Sequence, residues 1–348
     1  MPIDTLLRKA RLNRLIEQSD VTDVAFDNLE LVDATFQQVL FKDMVFNQCS
    51  FNNVNFIECT FENCNFEQCN LTTGSVHRSN MNTVTFSNGM LLQMGFNESS
   101  LTSVSFEKCR VQRCVLSNSH IDSFAFSDGE WLDTALLTCE VVSLSFDRSE
   151  LNNFAMNELD FSVVDIIDCS FEKGMLLKCE FTEQQFNEVK WAYCSFNDSK
   201  FEHCLFTNAT LTANGFIGCE FSDTTFSDCQ LPQALFIKAT FSKSIFSDCD
   251  LLQANFTESK GTELSLQRTN CEQTQWVEAS YDKSTFETVS FALSDMANSI
   301  WNECDFKQCE FDHSNWHGIQ DSDSNWHKCK TKTVRKTDPL RLEVEAAA

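Results

Sequence analysis

Turn-forming residues are scarce in this chain: 348 residues contain only 9 Gly and 3 Pro, against averages near 7% and 5%. A loop-rich multidomain protein needs more of both. Positive charge is also short, with 26 Lys and Arg against 51 Asp and Glu, a net of −25. That argues against a protein that grips nucleic acid by displacing counterions from phosphates, and against one drawn to an anionic membrane surface. No apolar run approaches the ~18 residues of a spanning helix. The opening MPIDTLLRKARLNRLIEQSD breaks its apolar stretch with charge and offers no small-residue cleavage site, so a secretory signal is not expected. What the chain has in excess is 33 Phe and 18 Cys.

Both follow from one period. From Val21, steps of five land on Phe26, Leu31, Phe36, Phe41 and Phe46, and continue to Trp326 without an insertion or deletion. Of these 62 positions only Gly261 and Asp321 are not apolar, and they hold 31 of the 33 Phe and all six Trp. Two residues before each lies a position of small side chains, such as Cys49, Val54, Cys59, Cys64 and Cys69, which takes 17 of the 18 cysteines. In extended chain, residues i and i−2 face the same way. Each pentad therefore turns one small and one large group inward and leaves two residues for a corner. Neither the strand period of 2 nor the helical 3.6 fits over this length.

The motifs Cys64-Asn65-Phe66, Cys69-Asn70-Leu71, Ala254-Asn255-Phe256, Cys304-Asp305-Phe306 and Ser314-Asn315-Trp316 resemble the pentapeptide-repeat family, whose usual pattern is Ala-(Asp/Asn)-(Leu/Phe)-x-x. Cys or Ser often replaces Ala here, and Phe outnumbers Leu. The resemblance covers residues 21–330 and implies an all-β fold: a right-handed quadrilateral parallel β-helix, or solenoid, with four pentapeptides per coil. The sequence carries its own trace of a four-sided coil. Sorted modulo 20, the side running Phe26, Phe46, Phe66, Phe86 has Phe at 13 of 16 positions, and the other three sides together have 18 of 46. About 15 coils at ~4.8 Å each would make a rod of about 75 Å. The expected organisation is an N-terminal capping helix within 1–20, the β-helix over 21–330, and a tail over 331–348. The helix is read over residues 4–17, with Asp4 as N-cap and Ile3, Leu7 and Leu15 covering the first coil. Asp338-Pro339 ends the register in the tail, which is open to capping, to disorder, or to pairing one end with a second copy.

The cysteines read as small interior hydrophobes, and free interior thiols favour a reducing, cytoplasmic compartment. Pairs twenty apart, such as Cys229 and Cys249, would stack close enough to bridge under oxidation. Cys309, His313, His317, His327 and Cys329 resemble a metal site in linear order. In register the cysteines face inward and the histidines outward or at corners, so no metal is expected. No nucleophile–base pair, phosphate-binding loop or carboxylate pair stands where the repeat leaves it unexplained. Neither catalytic residues nor cofactors are assigned.

The side centred on Val21, Phe41 and Phe61 carries 16 acidic and 5 basic residues. On it Asp122, Glu140, Asp160, Glu180, Glu183, Glu202, Glu220 and Asp223 share their span with only Lys200. They form a candidate acidic stripe for a protein partner with a basic surface, steered by charge. The expected function is a non-catalytic interaction scaffold or adaptor. The family resemblance implies an alternative, an acidic DNA mimic of the quinolone-resistance type that binds DNA gyrase or topoisomerase IV.

Overall fold

In a computed structural model, Arg8, Leu12 and residues 15–346 are described. The chain forms two compact units: Met1–Leu159 with Val163–Met175, and Asp160–Ser162 with Leu176–Ala348. Each is a parallel β-solenoid whose strands pair with residues twenty further on. In unit 1 the ladders run Phe36↔Phe56 and Phe46↔Phe66, and strands of eight residues at Thr60–Glu67, Asn80–Ser87 and Ser100–Glu107 span a corner without a break. In unit 2 two eight-stranded parallel sheets stack on adjacent sides, one starting at Glu180–Thr182 and the other at Gln185–Asn187. The remaining two sides of unit 2 are held by single bridges such as Lys190↔Thr210 and Ser195↔Gly215.

The large inward residues stack column on column. Phe46, Phe66, Phe86 and Phe106 follow one another at ring-centroid distances of 4.7 Å, as do Phe186, Phe206 and Phe226. This is the strand spacing of the ladder imposed on the rings, and it explains why one side favours a single residue type. Two residues after nearly every large residue the backbone turns through φ near +50°, as at Asn28, Asp33, Asn63 and Asp198. In unit 2 many of these corners close with an i→i+3 bond: the Ser199 N–H donates to the Phe196 carbonyl at 3.1 Å, with the left-handed Asp198 third in the turn. That is the geometry of a type II turn. In both units the left-handed N–H bonds to the next coil, Asn28 to the Asn47 carbonyl and Asp198 to the Ile217 carbonyl, each at 2.9 Å.

Several sequence expectations are corrected at the ends. The N-terminal helix, with Ile3, Asp4 and Leu7, lies mostly outside the described residues. Its last three members, Leu15 to Glu17, belong instead to the strand Leu15–Thr22. Ile16 takes one more step of the five-residue register, pairs with Phe36 and is fully buried, so its neighbour Leu15 must point outward and stays 45% exposed. At the other end, pairing passes residue 330 and continues to Asn315↔Arg335. The tail then forms a helix, α1 (Pro339–Ala346), N-capped by Asp338, whose carboxylate accepts the Leu340 N–H at 3.0 Å.

The two breaks in the apolar register have local causes. At Gly261 the missing side chain is replaced by the Tyr281 ring from the next coil, whose hydroxyl reaches the buried Ser259 hydroxyl at 2.6 Å. Asp321 is exposed and accepts the Trp326 indole N–H at 2.9 Å, while Trp326 stacks on Phe306.

Candidate interaction surface

The small inward position does more than fill space. The Ser79 hydroxyl donates to the Phe56 carbonyl, Ser199 to Leu176 and Thr224 to Phe201, each 23 residues back. Cysteine thiols repeat the contact: Cys59 to Phe36, Cys64 to Phe41, Cys109 to Phe86, all at 3.4 Å. These cysteines are thus weak donors to a buried carbonyl as well as small hydrophobes, which accounts for the interchange of Cys, Ser and Thr there. Composition alone points only to size. Burial pushes the thiols up, to about 11 at Cys59, Cys64 and Cys204 and to about 12 at Cys219 and Cys309. Cys229 and Cys249 contact one another, which holds Cys229 down and drives Cys249 up. No disulfide joins them; both are free thiols. Since the thiolate is the reactive form, a disulfide reagent at pH 7.5 should react promptly with only the half-buried Cys139 and Cys329. All 18 should react after unfolding; fast labelling of most of them in the native protein would contradict this interior.

The histidine and cysteine cluster of the C-terminal coils is not gathered into one site. Cys309 and Cys329 donate to the Phe286 and Phe306 carbonyls at 3.2 and 3.4 Å, and His313 and His327 are exposed. Only His317 is buried, and it binds the tail. Its Nδ1 accepts the Asp338 N–H at 3.1 Å, so its Nε2–H donates to Glu345 at 3.1 Å. Arg341, one turn before Glu345, holds that carboxyl below its ordinary range, with His317 adding to the effect. The tail therefore lies along a side of unit 2, where Arg341 and Glu345 face Val277, Asp295 and Ala297.

On the outside, like columns repeat every twenty residues, and many cations meet a carboxylate one coil away. Lys42 pairs with Glu62 at 3.2 Å, Arg78 with Glu98 at 2.7 Å, Arg148 with Asp128 at 2.8 Å and Arg268 with Asp248 at 2.7 Å. Each pair holds its carboxyl below the usual range at Glu98, Asp128 and Asp248. Such exposed pairs contribute little stability, about 0–1 kcal/mol. Their consequence is electrostatic: they neutralise part of the scarce positive charge and leave a surplus of carboxylates.

The stripe residues are all at the surface, but in different columns and units. Asp122 and Glu140 belong to unit 1, where His120 lies 3.2 Å from Glu140 and Asp122 accepts the Ser123 hydroxyl. The other six belong to unit 2. Glu180, Lys200 and Glu220 are successive partners in one ladder, with Lys200 3.7 Å from Glu180. Glu183, His203 and Asp223 form the left-handed corner column. Glu202 stands beside His203 at 3.8 Å, and Asp160 accepts the Ser162 N–H at 2.8 Å. Among the described residues, Glu183, Glu220, Asp223 and Asp160 have no cation within ion-pair distance. In unit 2 Lys200 and His203 stand between these carboxylates in their columns.

A family model described as a pentapeptide repeat region matches residues 19–92 and 199–276. No curated protein matches the sequence. Among solved structures, similarity is found to HetL, a pentapeptide repeat protein involved in heterocyst differentiation regulation from the cyanobacterium Nostoc sp. strain PCC 7120. It is 10% identical, covers 97% of this chain and 98% of its own, and has a TM-score of 0.24. A trypsin-treated form of QnrB1, a plasmid-mediated fluoroquinolone resistance protein, is 16% identical over 57% of this chain and 96% of its own, with a TM-score of 0.31. At these scores neither neighbour's role transfers. The two matched stretches lie in the same register, one in each unit, and that register crosses the residues between them without a break. Residues 19–92 and 199–276 are thus pentapeptide repeat regions, and the chain is similar to the pentapeptide-repeat family.

Proposed function

We propose that this protein is a non-catalytic interaction scaffold that offers an acidic side of its solenoid to a partner with a basic surface. The observation that carries this reading is the distribution of partners among the charges. Many cations are paired along the ladders, while Glu183, Glu220 and Asp223 are exposed together on unit 2 with no cation within ion-pair distance among the described residues. Complementary charge gives steering and specificity more than raw affinity, so the interaction should be fast and salt-sensitive. The alternative, a duplex mimic for a type II topoisomerase, needs negative charge at a density near one per ~1.7 Å. Lys200 and His203 dilute the columns at the centre of the patch, which favours a protein partner over a continuous imitation of phosphate.

The test is affinity capture from the host with the wild-type chain and with the triple variant Glu183→Lys, Glu220→Lys, Asp223→Lys. A partner retained at 50 mM NaCl, released by 500 mM and absent from the variant is the expected result. Equal retention by the variant would sink the acidic-patch reading. Inhibition of gyrase supercoiling at near-stoichiometric protein would replace it with the topoisomerase reading.

A further inference from the structure

The third side of unit 2, whose inward residues include Leu211, Leu231 and Leu251, differs from the rest of the surface. Between Lys190 and Leu293 its outward residues include only three charges, Lys190, Asp250 and Glu272. Both carboxylates are engaged, Asp250 by the Asn270 amide at 2.8 Å and Glu272 by the Ser290 hydroxyl at 3.1 Å. Pro232 and Leu252 are half-buried on this side, and Tyr193 and Leu293 are 59% and 54% exposed. Between them an amide ladder runs through Gln233, Gln253 and Gln273 at 3.2 and 2.9 Å.

A second observation is independent of exposure. Tyr193 and Leu293 occupy the left-handed corner column, at φ +56° and +61°. Bulky residues are disfavoured there, and Asn, Asp or Gly fit better; most of the chain's corners use polar residues. Two large apolar side chains are thus held in unfavourable backbone and left in water, which is costly for folding alone and typical of a surface kept for binding.

Size and charge decide the occupant. Six coils are five ladder steps, about 24 Å at ~4.8 Å each, and a side is about 10 Å wide, roughly three extended residues. The resulting area of about 250 Å² is far below the ~800 Å² per partner of a stable protein interface, so a second copy would not be held by this side alone. The strip does match one α-helix, about 10 Å across, of about 16 residues at 1.5 Å per residue. Its edge is acidic: Glu188 and Asp228, each two residues before the strip, are exposed and have no cation partner among the described residues. We propose that the third side of unit 2 docks a single basic amphipathic helix of a partner protein. Its apolar face lies on Pro232, Leu252 and Leu293 and its Lys or Arg flank meets Glu188 and Asp228.

The probe is a synthetic Leu/Lys amphipathic helix of about 16 residues, followed by fluorescence anisotropy on the full chain, with a Leu/Glu peptide of the same pattern as control. The Leu/Lys peptide should bind in the micromolar range and the Leu/Glu peptide should not. Leu252→Glu should weaken binding at least tenfold, and Glu188→Gln with Asp228→Asn several-fold. An equal loss of charge elsewhere, Glu263→Gln with Glu303→Gln, should leave binding unchanged. Leu293→Asn gives a second readout, because the melting temperature should rise as the corner strain is relieved while peptide affinity falls. Absence of binding at 100 μM peptide, full affinity in Leu252→Glu, or an equal loss in the Glu263/Glu303 variant would each overturn the proposal; the last would mark diffuse attraction to an acidic protein.

Discussion

Phe206→Ala is expected to lower the stability of unit 2 by about 3–5 kcal/mol, the usual cost of truncating a buried aromatic. Phe206 is fully buried between Phe186 and Phe226, each 4.7 Å away ring to ring. The cavity has little chance to collapse. The backbone on either side is pinned by the ladder Gln185↔Leu205↔Thr225, so the coils above and below cannot settle by the thickness of a ring. Glu202→Gln, on an exposed side chain with the His203 ring 3.8 Å away, should change stability by under about 0.5 kcal/mol. Urea unfolding of both variants measures the contrast. Equal and small losses would mean that the inward and outward positions have been exchanged.

That contrast rests on the part of the structure most legible in the sequence. A register of large residues every fifth position dictates inward columns, and the Phe bias modulo 20 dictates four sides, because only like stacked on like rewards a period longer than the repeat. The corners were not legible. Their left-handed φ falls on Asn, Asp, Gln, Glu, Lys, Thr and even Tyr and Leu, since the alternation of turn and strand enforces it regardless of residue preference. The ends were misread for a related reason: Ile16 and Arg335 extend the ladder because backbone pairing continues wherever a neighbour coil exists, even where the side-chain pattern fades. The acidic stripe, with Lys200 inside its span, was visible as composition on one side, but not the placement of His203 within it. His203 sits between carboxylates only once the twenty-residue ladder sets them side by side. The charge-poor third side of unit 2 lies in the same columns, but a scarcity of charge carries no motif by which a sequence announces a surface.

Gly261 offers the sharpest test of how the interior is fitted. By the repeat it should be a large apolar residue, and replacing it with one would look like a repair. The expected result is the reverse. A Cβ at 261 would lie 2.4 and 2.5 Å from Cδ1 and Cε1 of Tyr281, so even Gly261→Ala should cost about 1–3 kcal/mol by overpacking. The ring has no room to withdraw: it stacks on Trp301 at 5.2 Å, and its hydroxyl is tied to Ser259 at 2.6 Å. Burial also drives the Tyr281 hydroxyl well above its ordinary range, so it remains a neutral donor or acceptor throughout the physiological range. Tyr281→Ala should cost about 3–5 kcal/mol by the cavity it leaves. In that background Gly261→Ala should become neutral or stabilising, because the added methyl group enters vacated space and restricts the unfolded chain. A double-mutant cycle reads the coupling directly. Strong non-additivity is the expected outcome. Additive losses would show that Gly261 is not vacated for Tyr281, and that the break in the register at this position needs another cause.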